Sequence, residues 1–377
     1  MKSACPTNDL NGQWADTGMT ATTAYDFASG CRYVVEAWGG AAADDVNHRM
    51  IVWGGGHLDY AGNEVFVLNL GSTPAWQLFL NPTKPVPYLG DGKAWEGLAP
   101  NFAGMDDGGT YQSGATPSSR HTYNGLQFVP YQNKLYSFGG SVANKGWFSK
   151  EVWTLDMGAK QWTLTAPYGK SPGYVVTAYN PTNGHILVHD FNWTLSDYDP
   201  HTNTWNALKT TVNIQAGSTG AVDPVNNWVV FVHGDGQYPK ASTIFKVRAF
   251  DLSGRDGYAV HVWDDPSCRL VSSYGGLAWD SALKLMVGYP GGGNQLYLLN
   301  SGPTDVVTPY GTVPTHKCLN VTVGTTKGVD YPSDPGGVAG AGYTNGIFGR
   351  FAYFPSLDEF LLVNDATQNA WKLKLSH

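Results

Sequence analysis

Two stretches decide the reading of this chain: RMIVWGGG…NEVFVLNL…AW, from Arg49 to Trp76, and KLYSFGGS…KEVWTLDMGAKQW, from Lys134 to Trp162. In each, an apolar run ends at paired glycines, a second apolar run follows, and a Trp lies just beyond a polar turn. The runs are short, rich in β-branched and aromatic residues, and bounded by turn formers. That is the pattern of strands, not helices.

The phrase recurs. Apolar runs begin at Arg49, Lys134, His185, Trp228, Lys284 and Glu359, reading IVW, LYSF, ILV, VVFV, LMV and FLLV. Each follows a segment that reverses in Asp, Asn, Pro and Gly: EAWGGAAADDVNH, HTYNGLQFVPYQN, GYVVTAYNPTNG, GSTGAVDPVNN, GGLAWDSA and GRFAYFPSLD. Repeats of about 40 to 50 residues, each a few short strands, are the mark of a β-propeller. The expectation is an all-β chain forming one propeller domain over residues 1–377. Six blades are expected, with seven as the alternative if a degenerate unit occupies the longer gaps. The last unit stops at its third strand, Ala370 to Leu375, while Gly12-Gln13-Trp14 reads as an orphan fourth strand. The N-terminal strand is therefore expected to close the ring and remove a free edge. Two gaps, near 81–119 and 301–345, are expected to be loop insertions that wall a central cleft.

Composition supports this class. The 377 residues are 42% hydrophobic and 14% charged, with 47 Gly and 22 Pro, which suits a turn-dense chain with a large core. A net charge of -7 argues against nucleic acid or an anionic membrane as partner, since both call for a basic patch. No apolar run reaches the roughly 18 residues of a spanning helix. Met1-Lys2 ahead of Ser3-Ala4-Cys5 reads as a start joined to a processed N-terminus, so a secreted or periplasmic monomer is expected. Four cysteines fit an oxidising compartment; sequence proximity favours Cys5 with Cys31 and Cys268 with Cys318 among three pairings.

The glycine pairs Gly54-Gly55 and Gly139-Gly140, the apolar third strands, and Trp76, Trp162 and Trp205 near the fourth resemble kelch repeats. In the later units His189-Asp190, His233-Gly234, Gly288-Tyr289 and Val363-Asn364 replace the glycine pair. Proteins of this type serve as protein-binding modules, as the scaffold of galactose-oxidase-like enzymes and, in secreted forms, as polysaccharide lyases. Fold alone does not choose among them.

In such a repeat, the connection between second and third strands and the start of the innermost strand open on one face. That face is expected to hold Gly56-His57-Leu58-Asp59-Tyr60 beside Ser119-Arg120-His121-Thr122-Tyr123, followed by His189, Asn192 and Trp193, then His233, Asp235, Tyr238 and Lys240. Alternation along the inner strands aims Glu36, Trp38, His121, Tyr123, Tyr174 and Arg350 at the channel mouth.

His, Tyr and Arg converging on one cleft suit β-elimination from a uronic-acid polymer. A cation binds the C6 carboxylate, a base removes the C5 proton, and an acid protonates the leaving oxygen. The expected catalytic set is Arg120 or Arg350 on the carboxylate, His57 or His121 as base and Tyr60 or Tyr123 as acid, with His189 beside them. Glu36, Trp38, Tyr174, Trp193, His233, Tyr238 and Arg350 are the expected substrate-binding residues. These roles are similar to those in propeller lyases, and the expected partner is an acidic polysaccharide. The main alternative is a noncatalytic propeller that binds a glycan or a protein loop. A glycoside hydrolase is less favoured, because only Glu36 and Asp59 offer paired carboxylates. A copper oxidase is disfavoured because every Cys sits in a segment better explained by disulfides. No cofactor is required; a structural calcium or a His-bound metal stays open.

Overall fold

The computed structural model describes residues 1–8, 26–56, 59–71, 74–83, 110–111, 116–143, 148–165, 168, 173–190, 194–209, 217–233, 242–248, 261–265, 268, 275–291, 293–323, 329–330, 345–367 and 370–377. Among these are six four-stranded antiparallel sheets. Their innermost strands are Gly40–Asp44, Leu126–Val129, Val176–Tyr179, Thr219–Asp223, Gly276–Asp280 and Phe351–Phe354. Each touches the next, and the last returns to the first, so the sheets close into a β-propeller.

Five sheets are complete meanders whose strands run from inside to outside in chain order. The sixth is composite: Phe351–Phe354, Glu359–Leu362 and Trp371–Leu373 are joined at the outer edge by Val329–Asp330, from earlier in the chain. The ring thus holds five complete blades and one composite sheet, where the repeat alignment expects six equivalent units. No seventh four-stranded sheet is present among the described residues. The stretch 301–345 also departs from a simple loop insertion. It carries a hairpin of Val306–Thr308 and Gly311–Val313, then Cys318–Thr322, the outermost strand of the fifth sheet.

The expected N-terminal strand at Gly12-Gln13-Trp14 lies outside the described residues, and the described outer edge of the sixth sheet is Val329–Asp330. The N-terminal segment still bridges the first and last sheets, by packing. Met1, Phe27, Cys31 and Val34 share one core cluster with Met50 and Phe66 of the first sheet and Phe354 and Leu361 of the sixth. Disulfides Cys5–Cys31 and Cys268–Cys318 form as sequence proximity favours, which indicates folding under oxidising conditions.

The unbroken apolar runs have a geometric cause. Successive strand residues face opposite sides, and a propeller sheet is packed on both. In the first sheet Met50, Val52, Phe66 and Leu68 face the N-terminal segment and the sixth sheet, while Ile51, Trp53, Val65 and Val67 face Leu126, Leu135 and Trp153 of the second. Polar alternation would bury a polar row against one neighbour.

The turns between first and second strands all end on a left-handed residue: His48, Asn133, Gly184, Asn227, Lys284 and Asp358, with φ between 48° and 78°. That conformation costs an ordinary side chain about 1–2 kcal/mol. Lys284 is exposed with φ 56°. Lys284→Gly is therefore expected to stabilise the protein by about 0.5–1 kcal/mol, after the extra chain entropy of glycine. Chemical denaturation measures this; an unchanged or lower midpoint would refute it.

Candidate functional site

The connection leaving the second strand of the first sheet crosses the segment that enters the second sheet. Gly56 permits the crossing: its φ is +58°, and a Cβ there would lie 2.2 Å from the Arg120 Cα. Ser119 pins the two together. Its hydroxyl accepts from the Gly56 N–H at 2.6 Å and lies 2.9 Å from the Gly54 and Tyr60 carbonyls. Arg120–His121 then pairs as a short strand with Ser141–Val142. The crossing brings Asp59 to His121, whose Nε2 lies 2.8 Å from Asp59 Oδ2.

An aromatic array adjoins this pair through His121. The Trp38 and His121 rings lie 4.7 Å apart, and His121 meets Tyr123 edge to face at 6.0 Å. Tyr123 packs edge to face on Tyr174 at 5.0 Å and on Phe348 at 6.0 Å, and Phe148 packs on Tyr174 at 5.0 Å. Trp38, Tyr123 and Phe348 share one cause for their placement: each has φ between 48° and 51° just ahead of an innermost strand. That left-handed step turns three rings from the first, second and sixth sheets toward one another. His121 and Tyr123 are buried, Trp38, Tyr174 and Phe148 are half-buried, and the Asp59 side chain keeps 32% of its exposure.

Other expected site residues are engaged in holding the ring. Arg350 is fully buried; its Nε donates to the Gly39 carbonyl at 2.9 Å, its Nη1 to Val363 at 2.6 Å and Asn364 at 3.2 Å, and its Nη2 to Gly346. Burial pulls its pKa down, to about 9, against the opposing pull of Asp365 and Glu36, so it remains a cation at neutral pH. Arg120 is likewise fully buried. It donates to the Ser118 and Gly139 carbonyls at 3.1 Å, lies 3.6 Å from Glu151 Oε2, and sits over the Trp53 ring. Tyr60 is a core residue whose hydroxyl donates to the buried Glu64 at 2.6 Å. His189 is buried, with Nδ1 2.9 Å from the Asp190 carbonyl and its ring on Phe231.

Glu36 ends a short helix, Tyr33–Glu36, ahead of the strand that alternation assigned it to. It is buried, 3.6 Å from Arg32 Nε; burial raises its pKa, Arg32 opposes, Asp365 adds and Arg350 opposes. His233 ends the second strand of the fourth sheet. His57, Trp193 and Tyr238 lie outside the described residues.

The central channel is a separate space of ≈ 390 Å³, walled by small residues of the inner strands such as Ala41, Ala43, Ala178, Gly220, Ala278 and Ala352. None of the expected site residues that are described lines it. Glu36, Trp38, His121, Tyr123, Tyr174 and Arg350, which alternation aims at the channel, sit ahead of the inner strands, where period two does not apply. No group of three or more His, Cys, Asp or Glu residues suited to a metal ion occurs among the described residues.

Sequence reasoning missed Phe148 and Phe348. Phe348 was within reach, because the alignment that equates Arg350 with Gly125 also equates Phe348 with Tyr123. Phe148 lies in a connection with no repeat partner to flag it.

No family model matches this chain. A curated protein of Caenorhabditis elegans, protein tag-53, is 28% identical over 119 residues; the match covers 24% of this chain and 9% of that protein's length.

Proposed function

We propose that the protein is a kelch-type propeller, secreted or periplasmic, that binds carbohydrate on the face holding Trp38, His121 and Asp59. The observation that carries this reading is the half-buried Trp38 ring on His121 beside Asp59, continued through Tyr123 to the half-buried Tyr174 and Phe148. Sugar rings present C–H faces that pack on aromatic rings, while their hydroxyls seek fixed acceptors such as Asp59. Trp38→Ala is expected to lower retention on the bound glycan at least tenfold, a loss within the range of an anchoring aromatic residue. The melting transition should be little changed. Equal retention by the variant, or no retention of any glycan by the wild type, would refute the reading.

Binding without turnover is favoured because elimination needs a cation on the uronate. Arg120 and Arg350 already serve backbone carbonyls inside the ring. A lyase keeps one specific support: His121 is a base held by a carboxylate, the pairing that activates and orients imidazole. It requires a cation other than Arg120 and Arg350. Incubation with uronic-acid polysaccharides separates the readings, since a lyase product absorbs in the ultraviolet through its new double bond and a binder produces no rise.

A further inference from the structure

Resting on the carbohydrate reading, we infer that this face selects sugars bearing a protonated amine, the opposite charge to the uronate that sequence alone suggests. Three observations carry the inference.

The first is the state of the cations. Both arginines expected to meet an anionic sugar have their donors turned into the protein, onto the Gly39, Val363 and Asn364 carbonyls for Arg350 and the Ser118 and Gly139 carbonyls for Arg120. Arg32, at the helix before Trp38, lies against Glu36. The second is the carboxylate. Asp59 uses Oδ2 on His121, makes no hydrogen bond through Oδ1 among the described residues, and keeps about a third of its side-chain surface in solvent. An ionised carboxylate accepts through both oxygens, so Oδ1 is an acceptor in search of a donor. The third is the wall. Trp38 is half-buried and packs on His121 at 4.7 Å, next to the imidazole that Asp59 holds, and aromatic rings attract cations.

A neutral hydroxyl satisfies the acceptor, whereas an ammonium also brings the charge that a carboxylate attracts. A uronate meets Asp59 as a like charge. The chain's net charge of -7 biases long-range attraction the same way. The ligand class is thus a glycan with free amino groups, such as a glucosamine oligomer.

The test uses the full chain with three tetrasaccharides: glucosamine, N-acetylglucosamine and galacturonate. The expected order at low salt is glucosamine tightest, by about tenfold over its acetylated counterpart, with galacturonate weakest. Asp59→Asn, nearly isosteric, is expected to erase the amine preference, bringing the affinities for glucosamine and N-acetylglucosamine within about twofold of each other. Preference for galacturonate, or an amine preference that survives Asp59→Asn, would overturn the inference and leave carbohydrate binding standing. Binding of none of these sugars, or of any wider glycan panel, would instead remove the carbohydrate reading and this inference with it. Should Asp59→Asn fail to fold, the wild-type ligand order and its loss at high salt decide the matter.

Discussion

Glu64→Gln is expected to remove a pH dependence of stability worth about 3 kcal/mol between pH 4.5 and 8. Glu64 is fully buried, accepts one hydrogen bond from the Tyr60 hydroxyl on Oε1, and has no partner on Oε2. Burial raises its pKa from 4.5 to about 7, against the opposing hydrogen bonds from Tyr60 and its own backbone. The folded pKa is therefore above the unfolded one. Below pH 4.5 both states hold the proton and the group contributes no slope. As pH rises from 4.5 toward 7 the unfolded chain releases its proton while the native state keeps it, so stability falls, and it levels off above 7. The difference of 7 − 4.5 = 2.5 pH units corresponds to about 3 kcal/mol. A glutamine at this site has no proton to release, although its amide donors lack an acceptor and cost about 1–3 kcal/mol at every pH. Denaturation curves at several pH values should show the gap between variant and wild type shifting in favour of the variant by about 3 kcal/mol from pH 4.5 to 8. Parallel profiles would mean that Glu64 ionises normally in the fold.

The propeller was legible because its cause is repetitive. Sheets packed on both faces require unbroken apolar runs, as in Met50–Trp53 and Val65–Leu68, and such runs are visible without knowing which neighbour each side chain meets. The turns were legible for the same reason, since Asp, Asn, Pro and Gly recur where the chain reverses. Closure was less so. The outer strand of the sixth sheet, Val329–Asp330, is only two residues long and carries no periodicity to read. The turn-like composition of 301–345 likewise hid the outer strand Cys318–Thr322.

The site was legible in its neighbours more than in its roles. The alignment placed Asp59 and His121 on one face, and they meet at 2.8 Å. Residue type does not tell where the arginines and Tyr60 sit, because a buried guanidinium that fastens carbonyls and an exposed one that clamps a carboxylate look identical in sequence. Burial separates them, and burial at these positions is set by left-handed turns and glycine crossings that the pattern of apolar residues does not report. Trp38 and Tyr123 illustrate the point: their φ values of 48° and 49° decide where the rings go.

Arg350→Ala is expected to destabilise the protein by about 3–5 kcal/mol, and Arg350→Lys to recover only part of the loss. The guanidinium donates through all three nitrogens to carbonyls of Gly39, Val363, Asn364 and Gly346. Gly39 immediately precedes the inner strand of the first sheet, while Val363 and Asn364 follow the second strand of the sixth. One planar fork therefore ties the first sheet to the last, at the seam where the ring closes. Removing it leaves these buried acceptors without their donor, at a cost of about 1–3 kcal/mol for each group that water cannot reach. It also removes a favourable charge from the buried Glu36, whose pKa is raised by burial and only partly offset by Arg32 and Arg350. Lysine restores the charge as a single ammonium point and cannot span carbonyls on two sides at once. The variants should unfold at lower denaturant, and hydrogen exchange should speed first at Gly40–Asp44 and Phe351–Phe354, the strands flanking the seam. A uronate clamp predicts a different outcome. There, Arg350→Ala would spare stability and abolish binding of acidic sugars, so stability and ligand titrations on one variant distinguish a residue that fastens the ring from one that reaches a substrate.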